Sequence, residues 1–260
     1  MNLVAATLLL LELTAVKPET VEQFADKTIS YTGGEYENEV FHYRLLAPEK
    51  IEPGVKYPLV LFLHGAGERG SDNVKQLMYL PELMATSEYR TKFPCFLIAP
   101  QCRDGKQWVE VPWGELESRP MKEPSHQMNV VMAILEAVQK EQPVDGRRIY
   151  LTGLSMGGYG AWDLAMRHPE KFAAVAPVCG GGDEASAKRL VGLPIWAFHG
   201  SADNAVPPER SRNMIAAIKK AGGSPKYTEL EGVGHNSWTP AYAGPSGLIP
   251  WMFQQVRSGD

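Results

Sequence analysis

Short apolar runs bounded by turn residues alternate along this chain with longer stretches of helical periodicity. Pro58 to Leu63, Cys95 to Gln101, Arg148 to Thr152 and Ile195 to Phe198 are nearly continuous in apolar residues. Runs of that kind flanked by glycine and proline suit strands covered on both faces. Lys27 to Tyr31 and Val40 to Leu46, separated by Gly33-Gly34, read as an antiparallel leading hairpin, and Tyr227 to Leu230 reads as the last strand. The segment Gln127 to Glu141 places Val130, Val131, Ile134, Leu135 and Val138 at helical spacing, so these are expected core positions. Further helices are expected over Glu209 to Lys220 and Leu248 to Val256. The alternation predicts an α/β fold with a mostly parallel eight-stranded central sheet and helices on both faces. Residues 27–260 are expected to form one domain, preceded by a 1–26 N-terminal segment.

Composition narrows the classes. At 260 residues and 44% hydrophobic, the chain can bury a sizeable core. A net charge of -4 offers no basic surface for nucleic acid or anionic lipid, so neither is an expected partner. Cys95 and Cys102 flank one strand, whose seven extended residues span roughly 23 Å, too far to bridge. Cys179 is placed elsewhere, as a free thiol. No metal-ligand spacing of the C-x-x-C or H-E-x-x-H kind occurs, and neither metal nor cofactor is expected. Leu3 to Leu11 resembles the apolar region of a secretory signal, with Leu13-Thr14-Ala15 as a cleavage site, but lacks the basic residues that precede one. A short helix packed on the domain is the alternative. Localisation, secreted, periplasmic or cytoplasmic, stays open, and the run is too short to span a membrane.

The chemistry concentrates at three strand ends. Gly153-Leu154-Ser155-Met156-Gly157 follows an apolar strand and reads as a nucleophile elbow presenting Ser155. Asp203 comes after the strand ending in His199-Gly200, and His235 lies in the loop after the last strand. That chain order of nucleophile, acid and histidine suits the triad. A serine hydroxyl needs an imidazole to take its proton, and a carboxylate on the other ring nitrogen fixes the tautomer. His64-Gly65-Ala66-Gly67 ends the strand Pro58 to Leu63, where a loop can supply a backbone donor. The expected oxyanion donors are the Ala66 and Met156 N–H groups.

Other features are weighed against these. Gly65-Ala66-Gly67-Glu68-Arg69-Gly70 matches G-x-G-x-x-G, but the next strand, ending at Gln101, brings no ribose-binding acid, so a dinucleotide site is rejected. Asp183, after Gly180-Gly181-Gly182, is the runner-up acid. His199 and His64 are read as organisers of their loops, and His42, His126 and His168 as structural or surface residues. Trp108 and Trp113, on the irregular segment 103–125, and Trp238, after His235, are candidate substrate-binding walls. Only fifteen residues separate Val178 from Pro194, too few for a large lid.

Three motifs together carry a resemblance: Leu63-His64-Gly65-Ala66-Gly67-Glu68-Arg69-Gly70, Gly153-Leu154-Ser155-Met156-Gly157-Gly158 and Gly234-His235-Asn236-Ser237-Trp238. The chain resembles the phospholipase/carboxylesterase-like branch of the α/β-hydrolase superfamily, which includes feruloyl-esterase-like and polyhydroxybutyrate-depolymerase-like enzymes. The resemblance implies an α/β-hydrolase fold and a serine carboxylesterase working through Ser155, His235 and Asp203. Its substrate would be a small-molecule or polymer-attached ester of short-chain acyl or hydroxycinnamoyl type. A prolyl-oligopeptidase-like peptidase or a thioesterase on the same fold is the alternative. Thr239 departs from relatives that carry Asp after the tryptophan.

Overall fold

The computed structural model describes residues 15–116 and 122–258. The signal-like run and all but the last residue of its cleavage site lie outside the described residues. A short helix α1 (Pro18–Gln23) leads directly into β1 (Phe24–Gly33), which pairs antiparallel with β2 (Tyr36–Leu46). Then come β3 (Tyr57–Leu63), β4 (Phe96–Pro100), β5 (Val144–Leu154), β6 (Ala174–Val178), β7 (Trp196–Gly200) and β8 (Lys226–Leu230). They form one eight-stranded sheet in the order β1-β2-β4-β3-β5-β6-β7-β8. From β4 onward every neighbouring pair is parallel. No separate lid domain interrupts the described residues.

The burial of the central strands explains their composition. Every residue of β3, β4 and β6 is buried, because helices cover both sheet faces. One face packs α4 (His126–Glu141) and α5 (Met156–Arg167) through residues such as Leu61, Ile134, Leu135 and Trp162. The other carries Phe62, Tyr150, Phe198 and Tyr242. The expected helix α4 begins where Ser125 accepts a hydrogen bond from Met128 N–H, satisfying a donor that the first turn leaves free. The remaining helices are α2 (Leu80–Met84), α3 (Ser87–Lys92), α6 (Glu209–Lys220), α7 (Trp238–Ala243) and α8 (Leu248–Gln254).

The elbow strand starts earlier than the apolar run suggests. Pro143 to Gly146 reads as a turn, yet Val144 pairs with Tyr57 in the parallel ladder, and Tyr57 N–H donates to Pro143 carbonyl at 2.8 Å. The neighbouring strand supplies partners to backbone that would otherwise be free, so pairing overrides local turn preference.

Glycines set the distance between the elbow and β3. A Cβ on Gly157 would lie 1.9 Å from the Leu63 carbonyl oxygen, and one on Gly153 would lie 2.3 Å from the Gly157 oxygen. These obstructions are backbone, which cannot swing aside. Gly157→Ala is therefore expected to destabilise the fold by about 3 kcal/mol or more, the upper end of overpacking costs. Urea unfolding would measure it, and a midpoint within error of the wild type would contradict the close approach.

Candidate active site

The three side chains predicted from the sequence converge at the carboxyl ends of β5, β7 and β8. Ser155 is the single residue between β5 and α5, held at φ 53°, ψ -117°. This is a strained conformation for a residue with a side chain, of the kind stored at functional sites. The elbow is pinned from below, since Ser155 N–H donates to the Val178 carbonyl at 2.9 Å. The histidine loop docks on the end of β7. Ala202 N–H donates to Val233 carbonyl at 2.9 Å, and a Cβ on Gly200 would meet that same oxygen at 2.2 Å.

Within this frame His235 Nδ1 lies 2.7 Å from Asp203 Oδ2, and His235 Nε2 lies 2.9 Å from Ser155 Oγ. An ionised carboxylate can only accept, so Nδ1 carries the proton and Nε2 is left to accept from the serine hydroxyl. Burial would raise the Asp203 carboxyl pKa, but hydrogen bonds from His199, His235 and the Val206 and Ala205 N–H groups outweigh it. Together they hold that carboxyl well below the usual range. His199 Nε2 is 3.2 Å from Asp203 and 3.0 Å from the Val206 carbonyl, and its Nδ1 is 2.7 Å from Ser211 Oγ. It thus steadies the acid loop from inside. Asp183, the runner-up acid, instead caps a short turn by accepting from Ala185 N–H and Ser186 Oγ.

The expected oxyanion donors sit at two helix starts. Ala66 opens a single turn of tight helix after extended Gly65, and Met156 is the first residue of α5. An N–H in the first turn of a helix has no intrahelical acceptor and is available to an anion. His64 orders this loop: its Nε2 accepts from Cys102 N–H at 2.9 Å while Nδ1 faces the Gly65 carbonyl at 2.6 Å. Burial pushes its pKa down to about 4, so the ring stays neutral.

The tryptophans part company with the expectation of a shared wall. Trp108 is fully buried, and its indole N–H donates to the His64 carbonyl at 2.9 Å, so it braces the His64 loop rather than facing a substrate. The irregular course of the chain around it does not keep Trp108 from burial. Trp113 is half-buried, and its carbonyl accepts from Tyr159 hydroxyl. Trp238 opens α7 and meets the His235 ring in a T-shaped pair with 5.3 Å between centroids.

Three neighbours were not foreseen. Tyr79 lies tilted against Trp238 with centroids 5.4 Å apart and has φ 68°, a strained conformation that no local motif announced. Glu68 belongs to the His64-to-Gly70 motif, and its buried carboxyl has one oxygen without a hydrogen-bond partner among the described residues. Burial pushes its pKa up. Cys179, expected only as a free thiol away from the Cys95–Cys102 strand, lies beside the candidate pair: ligating atoms of Cys179, Asp203 and His235 fall within 4.8 Å of one another. The residue directly follows β6, and only the parallel pairing of β5, β6 and β7 brings that strand end beside the elbow. Its thiol is buried and its pKa pushed up to about 12 by that burial.

An eight-stranded sheet of this order, with an elbow serine after its fifth strand and a hydrogen-bonded His–Asp pair beyond, defines an α/β-hydrolase fold. The model of the dienelactone hydrolase family matches residues 113–241. A thermostable esterase of known structure is 37% identical with a TM-score of 0.82, covering 92% of this chain and 64% of that one. A ferulic acid esterase shares the fold at 18% identity and a TM-score of 0.65, covering 89% of this chain and 97% of that one. The bifunctional acetylxylan esterase/xylanase XynS20E of Neocallimastix patriciarum is 34% identical over 74 residues, which are 28% of this chain and 11% of that protein. The chain thus spans under two thirds of that esterase's length and a small part of the bifunctional enzyme.

Two expectations are corrected by these findings. The phospholipase/carboxylesterase-like branch gives way to the dienelactone hydrolase model, which is the family model that matches. The class name serine carboxylesterase is not upheld; the comparisons show the α/β-hydrolase fold. The His235–Asp203 pair has a thiol clustered with it as well as a hydroxyl, so a class name resting on the serine motif alone claims too much. No helix among the described residues is long and apolar enough to cross a membrane.

Proposed function

We propose that the chain hydrolyses small-molecule esters by acyl transfer, with His235 as base and Asp203 as its orienter. The observation that carries this reading is the continuous hydrogen-bonded line from Asp203 through His235 to Ser155. Of the two nucleophile-type groups near the base, the Ser155 hydroxyl is the one in hydrogen-bonding contact with Nε2, whereas burial keeps the Cys179 thiol protonated. Attack by Ser155 Oγ on the ester carbonyl would pass its proton to Nε2 and build an oxyanion within reach of the Ala66 and Met156 N–H groups. The imidazolium would then protonate the leaving alcohol, and water would release the acid by the reverse sequence. The half-buried Trp113 and Trp238 and the Tyr79 ring are the aromatic surface available to an acyl or aryl group.

A panel of p-nitrophenyl acyl esters of increasing length, methyl ferulate, an acyl thioester and a peptide anilide tests the reaction class. Oxygen esters are expected to turn over at least about a hundredfold more efficiently in kcat/KM than the anilide, a difference of about 2.7 kcal/mol in transition-state stabilisation. Equal or better turnover of the anilide or thioester would replace the ester reading with a peptidase or thioesterase.

A further inference from the structure

We propose that Cys179, Asp203 and His235 form an inhibitory binding site for a thiophilic divalent cation of the zinc type. Sulfur, carboxylate oxygen and imidazole nitrogen form a donor set that suits such an ion, and the three ligating atoms already lie within 4.8 Å of one another. Bonds of about 2.0 to 2.3 Å require ligand atoms roughly 3.5 Å apart, so the widest separation must close by roughly 1 Å while the 2.7 Å contact between His235 Nδ1 and Asp203 Oδ2 opens by a similar amount. His235 can supply that movement, because its side chain is 29% exposed and its loop carries Gly232 at φ 69°. The fully buried Ser237 hydroxyl lies against the Cys179 thiol, so the sulfur sits among polar groups beside the His235–Asp203 pair.

The proton balance explains why binding would inhibit. The ion takes the Cys179 sulfur in exchange for the thiol proton, which leaves to solvent. It takes His235 Nδ1 in exchange for the proton shared with Asp203, which the ring carries on Nε2 instead. Nε2 then donates rather than accepts, so it cannot remove the Ser155 proton. The inhibition rests on the proposed role of His235 as base, whereas the binding itself does not.

Two readouts separate these levels. Cd2+ titrated into the metal-free protein is expected to give an ultraviolet sulfur-to-metal charge-transfer band saturating at one ion per chain, absent in Cys179→Ala and weakened in Asp203→Asn. Zn2+ is expected to abolish ester turnover reversibly on adding EDTA, with its half-inhibitory concentration raised at least about tenfold in Cys179→Ser and Cys179→Ala relative to each variant's own metal-free rate. Thermal unfolding of both variants confirms that they are folded. No charge-transfer band, or inhibition of equal potency with and without the thiol, overturns the site. A band without any ester turnover to inhibit keeps the site and removes the ester reading.

Discussion

Replacing Ser155 by alanine is expected to lower kcat on the best ester about ten-thousand-fold or more, with the fold intact. The size follows from removal of a group that acts as a unit with its base, where the loss of one member costs nearly as much as the loss of all. Stability should change little, because the hydroxyl's one hydrogen bond among the described side chains is to His235 Nε2. Relief of the positive φ does not accompany the change, since alanine is as strained at φ 53° as serine. The informative comparison is Cys179→Ala, which removes a buried thiol but leaves the Asp203–His235–Ser155 line in place. It is expected to retain turnover within about tenfold of the wild type, the loss reflecting packing beneath the elbow. Steady-state kinetics on both variants decides the nucleophile. If Cys179→Ala fell as far as Ser155→Ala is expected to, while Ser155→Ala kept most of its activity, the thiol would be the attacking group.

The second large effect belongs to Asp203. Asp203→Asn should lose about ten-thousand-fold in kcat, because an amide nitrogen facing Nδ1 favours the wrong imidazole tautomer. Asp183→Asn should stay within about threefold of the wild type, since Asp183 serves only its own turn through Ala185 and Ser186. The two variants also differ in stability. Asp203 holds the Ala205 and Val206 N–H groups at 2.9 and 3.0 Å, and its folded carboxyl pKa is depressed below the unfolded value near 4. A depressed folded value contributes stability that is present above the unfolded pKa and disappears as pH falls toward the folded one. The stability gap between wild type and Asp203→Asn should therefore be widest near neutrality and shrink below about pH 4. Thermal unfolding across that range measures it, and a gap independent of pH would show that the carboxylate charge is not what the loop uses. Should Asp183→Asn be the inactive variant, the acid assignment would pass to Asp183.

What the residues announced and what they concealed divide along a physical line. Strand and helix positions were legible because burial on both sheet faces demands unbroken apolar runs, and burial of one helix face demands a period near 3.6. The elbow was legible because its contacts are local: Gly153 and Gly157 are small so that backbone can pass them, and that need is written in the chain within five residues. Asp203 and His235 were legible through their order along the chain and their places after apolar strands. The start of β5 was not, since Val144 is extended only because Tyr57 offers it a partner. Nor was the fate of Trp108, whose indole finds the His64 carbonyl across forty-four positions of sequence. Tyr79 reaches the site by a backbone conformation that its neighbours in sequence do not require.

Sequence by itself determined the α/β layering and the crossing points where a sheet delivers side chains to one edge. Tertiary structure alone decided which side chains meet there. It placed Cys179 beside the His235–Asp203 pair, turned Trp108 inward and left Trp238 against the imidazole, because contacts between strand ends depend on the pairing of segments far apart in the chain. No periodicity or motif records that pairing; it is fixed only when the parallel ladder of β5, β6, β7 and β8 closes and brings their carboxyl ends to one edge.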